Sequence, residues 1–407
     1  MALLNGIFNT ASNPAELNMR SFAATLLRLF PNGSAPLFAL TSQLGKSTAK
    51  AATHGYFTKT MAFVKTTFTS GDVLNDVAGA SVTLTIASSA GMVAGAVLRN
   101  ATTAENVRVT SVTNATTIVV TRSFGRIAAA AMTAADVLIQ VGTAFEEGSN
   151  RPTARGLSVT YVPNYTQIFR NAWGLTDTAR ASMSEMGYSN VAENRKDCAV
   201  FHSTDIEAAI IWGQPEAPAV GPGGQLLHAT QGILDAIEQY APGNSNAAGA
   251  TTTFAQLVAL LEPMFAYSTD LSNAKERVVF VDAHANKVLN DIGRLSGQVY
   301  ITQNENSFGM QFSKFKFYKG MMTIVEHPLM NALTADATKG NAIVMDMPAL
   351  KLAYLNGRDT WSEEYGVGKT VVENGVDGIG GSLNSEFAVE LINPFACGII
   401  TNLTAAA

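Results

Sequence analysis

Two stretches of this 407-residue chain end like a phosphate-binding loop. Gly45-Lys46-Ser47 and Gly368-Lys369-Thr370 carry the tail that would cradle the phosphates of a nucleotide. That chemistry needs an earlier glycine, for the turn and for converging backbone N–H groups. Leu40 and Glu363 stand in its place, so neither stretch is a nucleotide loop. Gly378-Ile-Gly-Gly381 opens no strand–helix–strand unit and reads as a loop. The five histidines, His54, His202, His228, His284 and His327, are scattered, without H-E-x-x-H or ligand spacing on one helix. No metal and no cofactor are expected. Asp282 and His284 at a strand end would point the same way, as an acid–base pair does. Asp282 serves equally as the cap of the following helix. His202 lies on an apolar stripe and reads as core. Cys198 and Cys397 are too few for a disulfide scaffold or a zinc module and read as buried thiols. Asp197 beside Cys198 disfavours a thiolate. No G-x-S-x-G elbow occurs. Nothing assembles nucleophile, base and oxyanion hole, so no enzyme is expected.

The remaining chemistry is that of charged contacts. Glu146, Glu147, Arg151 and Arg155 form a charged hairpin tip, with partners within the chain or on a neighbour. An exposed pair is worth about 0–1 kcal/mol, so the value of such pairs lies in register between copies. Residues 1–70 hold Arg20, Arg28, Lys46, Lys50, Lys59 and Lys65 against Glu16, a charge of +5. With a net charge of −5, the other 337 residues carry −10. A basic arm on an acidic body is a solvated segment, or it meets an anionic partner, nucleic acid or a neighbouring copy. Arg20, Arg28, Lys46 and Lys50 are the candidates for that contact.

The elements that position these groups follow from composition and periodicity. At 407 residues two or three domains are expected. Apolar residues make up 47% and charged residues 14%, against about 25% charged in an ordinary soluble domain. This excludes disorder and implies that much surface is buried, either within the chain or against other subunits. No signal peptide and no run of about 18 apolar residues is present, so a soluble, cytosol-made protein is expected. Leu17, Phe22, Leu26 and Leu29 predict a helix over 15–30, ended by Pro31-Asn32-Gly33. Tyr56 to Phe68 predicts a strand. Residues 71–143 hold β-branched alternating runs at 81–86, 106–112 and 116–122, an inserted small barrel or sandwich. Strands are predicted at 156–162 and 165–169. A long helix is predicted over 177–213, with Ala199, His202, Ile206, Ala209 and Ile210 on its apolar stripe and Asp205 and Glu207 off it. Then come a turn at 221–224, a helix at 226–238, a loop at 242–249 and a helix at 252–265. A buried strand at 277–281 leads into a helix, followed by strands near 311–326, 342–347 and 386–401. The class is α+β.

The order of certain segments carries a resemblance. They are Ala144-Phe-Glu-Glu-Gly148, Tyr165-Thr-Gln-Ile-Phe169, the helix end Asp205-Ile-Glu-Ala-Ala-Ile-Ile-Trp-Gly213, Thr230-Gln-Gly-Ile233 and the run Glu386 to Leu403. In this order they resemble the tailed-phage major capsid proteins of the Hong Kong 97 type. The run Glu105 to Val112 with Val119-Val-Thr-Arg122 is similar to the β-module that a subgroup inserts in its extended loop. The resemblance implies an N-terminal arm at 1–35, an extended loop at 36–70 and 144–172, and the insertion at 71–143. It implies a peripheral domain at 173–250 and 346–407, with the spine helix 177–213, and an axial domain at 251–345. It implies a self-assembling icosahedral shell around double-stranded DNA, built of hexamers and pentamers in the virion and assembled in the host cytoplasm. The partners would be a separate scaffolding protein, a portal, a decoration protein and packaged DNA in non-specific contact, with no membrane. The alternatives are an encapsulin-like compartment shell, which an absent insertion would favour, and a β-rich tail or adhesin component.

Overall fold

A computed structural model describes residues 46–59, 63–71, 79–182, 190–249, 251–269, 276–296, 302–307, 310–333, 340–366 and 377–404. The helix expected at 15–30, the arm 1–35 with Arg20 and Arg28, and Gly368-Lys369-Thr370 lie outside them. The chain divides into two compact units, residues 57–161 and residues 1–56 with 162–407.

Two strands precede the smaller unit's core, β1 (Ser47–Ala49) and β2 (Thr53–Thr58). The smaller unit is a closed barrel of β3 (Lys65–Gly71), β4 (Ser81–Ile86), β5 (Ala96–Asn100), β6 (Asn106–Val112), β7 (Thr117–Thr121) and β8 (Val137–Thr143). Alternation drives it: Leu84 and Ile86, Val107 and Val109, and Ile118 and Val120 all point inward. The barrel begins at Lys65 and not at 71. The strand expected from Tyr56 to Phe68 is two strands, the second inside the barrel, because Phe68 is a core residue at 1% exposure.

After the barrel come β9 (Thr160–Tyr165), whose partner is β2 and whose residues from Val162 on belong to the larger unit, and β10 (Gln167–Thr176). Next are α1 (Asp177–Ala181) and α2 (Asn190–Trp212). The expected single helix over 177–213 is therefore broken. Ser182 leaves helical geometry at ψ 116°, and its hydroxyl donates to the Thr178 carbonyl at 2.9 Å. On α2 the buried row is Cys198, His202, Ile206 and Ile210, one residue every turn. Ala199 is exposed and Glu207 is buried, opposite to expectation.

The strands β11 (Glu216–Val220) and β12 (Leu226–Ala229) form a separate hairpin. They replace the first part of the helix expected at 226–238; α3 begins only at Ile233 and runs to Tyr240. The expected loop at 242–249 holds a 3-10 turn and β13 (Ser245–Ala247). A Thr253–Gln256 capping box starts α4 (Phe254–Leu261), and a 3-10 turn containing Pro263 ends it. Beyond it lie β14 (Glu276–Val281), α5 (Ala283–Ser296), β15 (Thr302–Ser307), β16 (Met310–Phe317), β17 (Gly320–Glu326), α6 (Pro328–Leu333) and β18 (Gly340–Met345). The chain finishes with β19 (Leu350–Leu355), β20 (Trp361–Tyr365), β21 (Gly378–Leu391) and β22 (Gly398–Leu403). Gly378-Ile-Gly-Gly381 is strand, paired with β10 on one side and partly with β20 on the other. The strand expected at 386–401 is two, separated by the Pro394–Ala396 turn.

Two sheets organise this unit. One runs β1-β19-β21-β10 with β20 on β21, and the other runs β13-β22-β18-β14-β17-β16-β15. The second is covered on both faces. Phe280, Ile343 and Ile399 enter the core with Ile206, Ile210 and Phe387, while Val279, Val344 and Ile400 pack with Leu257, Leu261 and Val288. Burial on both faces explains the unbroken apolar run Val278-Val-Phe-Val281.

Candidate functional site

The structure does not gather the four charges expected at a hairpin tip. Between β8 and β9 the segment 144–159 carries no strand, and all residues from Phe145 to Tyr161 are exposed. Glu146 lies 3.9 Å from Arg108. Arg155 Nη1 donates to the Gly91 carbonyl at 3.2 Å and to Gln140 Oε1 at 3.3 Å. Glu147 and Arg151 are exposed and make no ion pair among the described residues. Of the basic candidates, Lys46 Nζ meets Asp359 Oδ2 at 2.6 Å and lies 4.7 Å from the centre of the Tyr354 ring. Burial raises the Asp359 carboxyl, but Lys46 and the Thr360 N–H outweigh it and hold it below its usual value. Lys50 is exposed.

The catalytic alternatives dissolve into structure. Asp282 Oδ1 accepts from the Ala285 N–H at 2.6 Å and Oδ2 from the Asn341 N–H at 2.7 Å. It is a helix cap tied to β18, with both oxygens occupied. His202 holds Asn171 Oδ1 at 2.8 Å and Ser385 Oγ at 2.9 Å. Burial pushes its pKa down, opposed by Asp205. A serine–histidine contact at 183 residues' separation has no sequence signal. Ser385 is fully buried, so the pair ties α2 to β10 and β21. Glu207 and His327 meet at 2.6 Å, both fully buried, 120 residues apart. Arg277, expected only as part of a buried strand, donates to Asp346 and to the carbonyls of Tyr267 and Ala396. Cys198 and Cys397 are buried thiols, and burial pushes the Cys397 thiol up to about 12. Among the described residues no three His, Cys, Asp or Glu side chains stand together as a metal site, and no helix is long and apolar enough to cross a membrane.

Buried polar side chains that tie helix to strand inside, and apolar and charged segments left exposed outside, fit an architectural subunit in contact with other chains. The comparisons place it more closely. Residues 5–404 match the family described as SU10 major capsid protein. Over 414 residues, 99% of this chain and 97% of the relative, the sequence is 48% identical to the major capsid protein of Pseudomonas phage PaMx41. The chain belongs to the SU10 major capsid protein family, and it is a phage capsid subunit that forms the shell.

Solved structures show fainter likenesses, on which this assignment does not rest. The capsid of a native GTA particle is similar over 98% of both chains at 8% identity and TM-score 0.48. Mycobacterium phage Cain is similar over 98% of both chains at 10% identity and TM-score 0.45. The encapsulin of Synechococcus elongatus is similar over 61% of this chain and 78% of its own at 10% identity and TM-score 0.41.

Proposed function

We propose that copies of this chain close into an icosahedral shell around double-stranded DNA, as hexamers and pentamers, in the manner the Hong Kong 97 resemblance implies. The observation that carries this reading is the exposed segment from Phe145 to Tyr161. It leaves Phe145, Leu157, Val159 and Tyr161 all at 43% exposure or more. A lone soluble subunit has no use for it; a subunit with neighbours covers it. In this reading the segment, with the strands flanking the barrel, is the extended loop, and α2 is the spine helix. The peripheral domain is built on β10, β19 and β21, and the axial domain on the seven-stranded sheet. The basic arm with Arg20, Arg28, Lys46 and Lys50 meets packaged DNA or an acidic neighbour. A scaffolding protein, a portal and a decoration protein complete the partners, assembly takes place in the host cytoplasm, and no reaction is assigned to the chain.

The test is microscopy and mass measurement of the purified chain, with and without scaffold. Closed particles or ring-shaped capsomers are expected. A strictly monomeric mass at every concentration overturns the reading. Neutralising Arg20, Arg28, Lys46 and Lys50 separates the two roles of the arm. A lateral role weakens empty shells as well as filled ones, and a DNA role weakens filled shells only, each more strongly at low salt.

A further inference from the structure

One outer face of the barrel carries two cations with an apolar ridge between them. Lys65 on β3 pairs directly with Ile139 on β8, and Ile139 pairs in turn with Arg99 on β5. Residues paired directly across strands share one face of the sheet. Their chain neighbours Thr66, Leu138 and Asn100 are buried on the inner face, so Lys65, Ile139 and Arg99 point outward in a row. Lys65 and Arg99 are exposed, and neither forms an ion pair among the described residues. Two strand spacings separate them, about 10 Å at the backbone. Ile139 is 41% exposed and Val141, next on the same side of β8, is 55% exposed. The Gln140 N–H donates to the Val64 carbonyl at 2.9 Å, which extends the pairing toward Phe63, itself 87% exposed.

We propose that this face binds an anionic polysaccharide that carries an acid group on alternate sugars. The outside of a closed barrel is convex, whereas small molecules bind in concave sites, so the ligand is a polymer lying across the strands. Closure leaves no free strand edge, which excludes an added peptide strand. Cations without partners call for acid groups, and Ile139 and Val141 call for apolar surface between those groups. A chain of sugars supplies both. The C–H face of one ring covers the ridge, and carboxylates or sulfates two sugars apart reach Lys65 and Arg99 in charge-assisted hydrogen bonds. That repeat is close to the two strand spacings between the cations. Phe63 adds an aromatic face for a further ring. Duplex DNA fits less well. With a charge about every 1.7 Å along its axis, it would lay phosphates on the apolar ridge as well as on the cations. Repetition over many subunits would multiply contacts that are weak one at a time.

The test is titration of the purified full chain with hyaluronan oligosaccharides, which carry a carboxylate on alternate sugars. Saturable binding that weakens as salt rises is expected, with none to neutral dextran. Lys65→Gln with Arg99→Gln should weaken it roughly tenfold, the worth of two solvent-exposed ion pairs. Phe63→Ser should weaken it several-fold without changing its salt dependence. These side chains are exposed, so the thermal transition should stay in place and report that each variant is folded. Lys65→Arg with Arg99→Lys keeps both charges and should retain binding; loss from it contradicts a contact made by charge. No binding of hyaluronan, or binding that survives the double neutralisation, overturns the proposal. Dextran bound as well as hyaluronan overturns it too, because the cations would then play no part. Duplex DNA bound as tightly at the same salt, and lost with the same two residues, would make the face a general contact for polyanions and overturn the polysaccharide.

Discussion

Arg122 and Glu105 meet inside the barrel with neither side chain exposed, Nε to Oε1 at 2.8 Å and Nη2 to Oε2 at 2.7 Å. Glu105 also accepts from the N–H groups of Ser123 at 2.9 Å and Ala130 at 3.2 Å. The pair therefore ties the loop between β7 and β8 to the start of β6, since Glu105 immediately precedes β6 and Arg122 immediately follows β7.

Removing one partner leaves a buried charge uncompensated, which costs about 3–5 kcal/mol. Arg122→Met should lower the unfolding free energy of the barrel by that order, read from urea denaturation of the full chain. Glu105→Leu added to it should return part of the loss, since no charge then remains buried. An Arg122→Met barrel as stable as the wild type would show that the pair contributes nothing.

The barrel should also weaken in acid. Burial raises the Glu105 carboxyl, but the Arg122, Ser123 and Ala130 hydrogen bonds outweigh it and hold it below its ordinary 4.5. The Asn100 amide, bonding at 2.9 Å, leads the groups that hold Asp136 below its ordinary 3.8. Both groups release their protons more readily when folded. Their stabilisation is complete above about pH 4.5 and is lost as the pH falls through their folded values. The urea midpoint of the barrel should fall steadily below pH 4.5, and Asp136→Asn should flatten part of that slope.

His202 acts in a higher window. Burial lowers its pKa below the ordinary 6.5, so the unfolded chain takes up its proton first. Its contribution is full above about pH 6.5 and is lost as the pH falls from there through the folded value. Stability of the larger unit should decline from pH 7 to pH 5, and His202→Gln should reduce that decline. A decline of unchanged slope in the variant would remove His202 as its source.

Glycine at 213 is a matter of space. A Cβ there would lie 2.5 Å from the Ala209 carbonyl and 2.7 Å from that of Thr230, where α2 passes beneath Gly232. Backbone cannot swing aside as a side chain does, so Gly213→Ala should cost about 1–3 kcal/mol or more. Gly223→Ala, with nothing within 4 Å, should leave the melting temperature nearly unchanged.

Excising the barrel should depend sharply on where the cut falls. Replacing 65–143 with a short Gly-Ser linker should leave the larger unit folded, as judged by its thermal transition. Replacing 71–143 leaves β3 without its barrel and exposes Phe68, so that protein should be markedly less soluble.

The strands β4, β6 and β7 were legible because they alternate cleanly between inward and outward residues. The strand Arg277–Val281 was legible because burial on both faces leaves an unbroken apolar run. The start of the barrel was not, because Thr66 to Thr69 carry the same β-branched and aromatic types as the strand before them. Leu226 and Leu227 fit a helix that begins seven residues later. Their exposure depends on pairing with β11 across the Gly221–Gly224 turn, which periodicity does not reveal. The charged candidates named residues, not partners. Lys46 finds Asp359 across 313 positions of sequence and Glu207 finds His327 across 120, and nothing local encodes either distance.

The closed barrel has a geometric consequence for the gene as well as for the protein. Lys65 on its first strand pairs directly with Ile139 on its last, so the chain enters about 5 Å from the strand on which it leaves. A module whose ends lie close together adds little closure entropy to the loop that carries it. Such a module can be gained, lost or exchanged in one recombination event while the flanking strands keep their spacing. A foreign domain with adjacent termini, spliced between 64 and 140, would then be carried in as many copies as the particle has subunits.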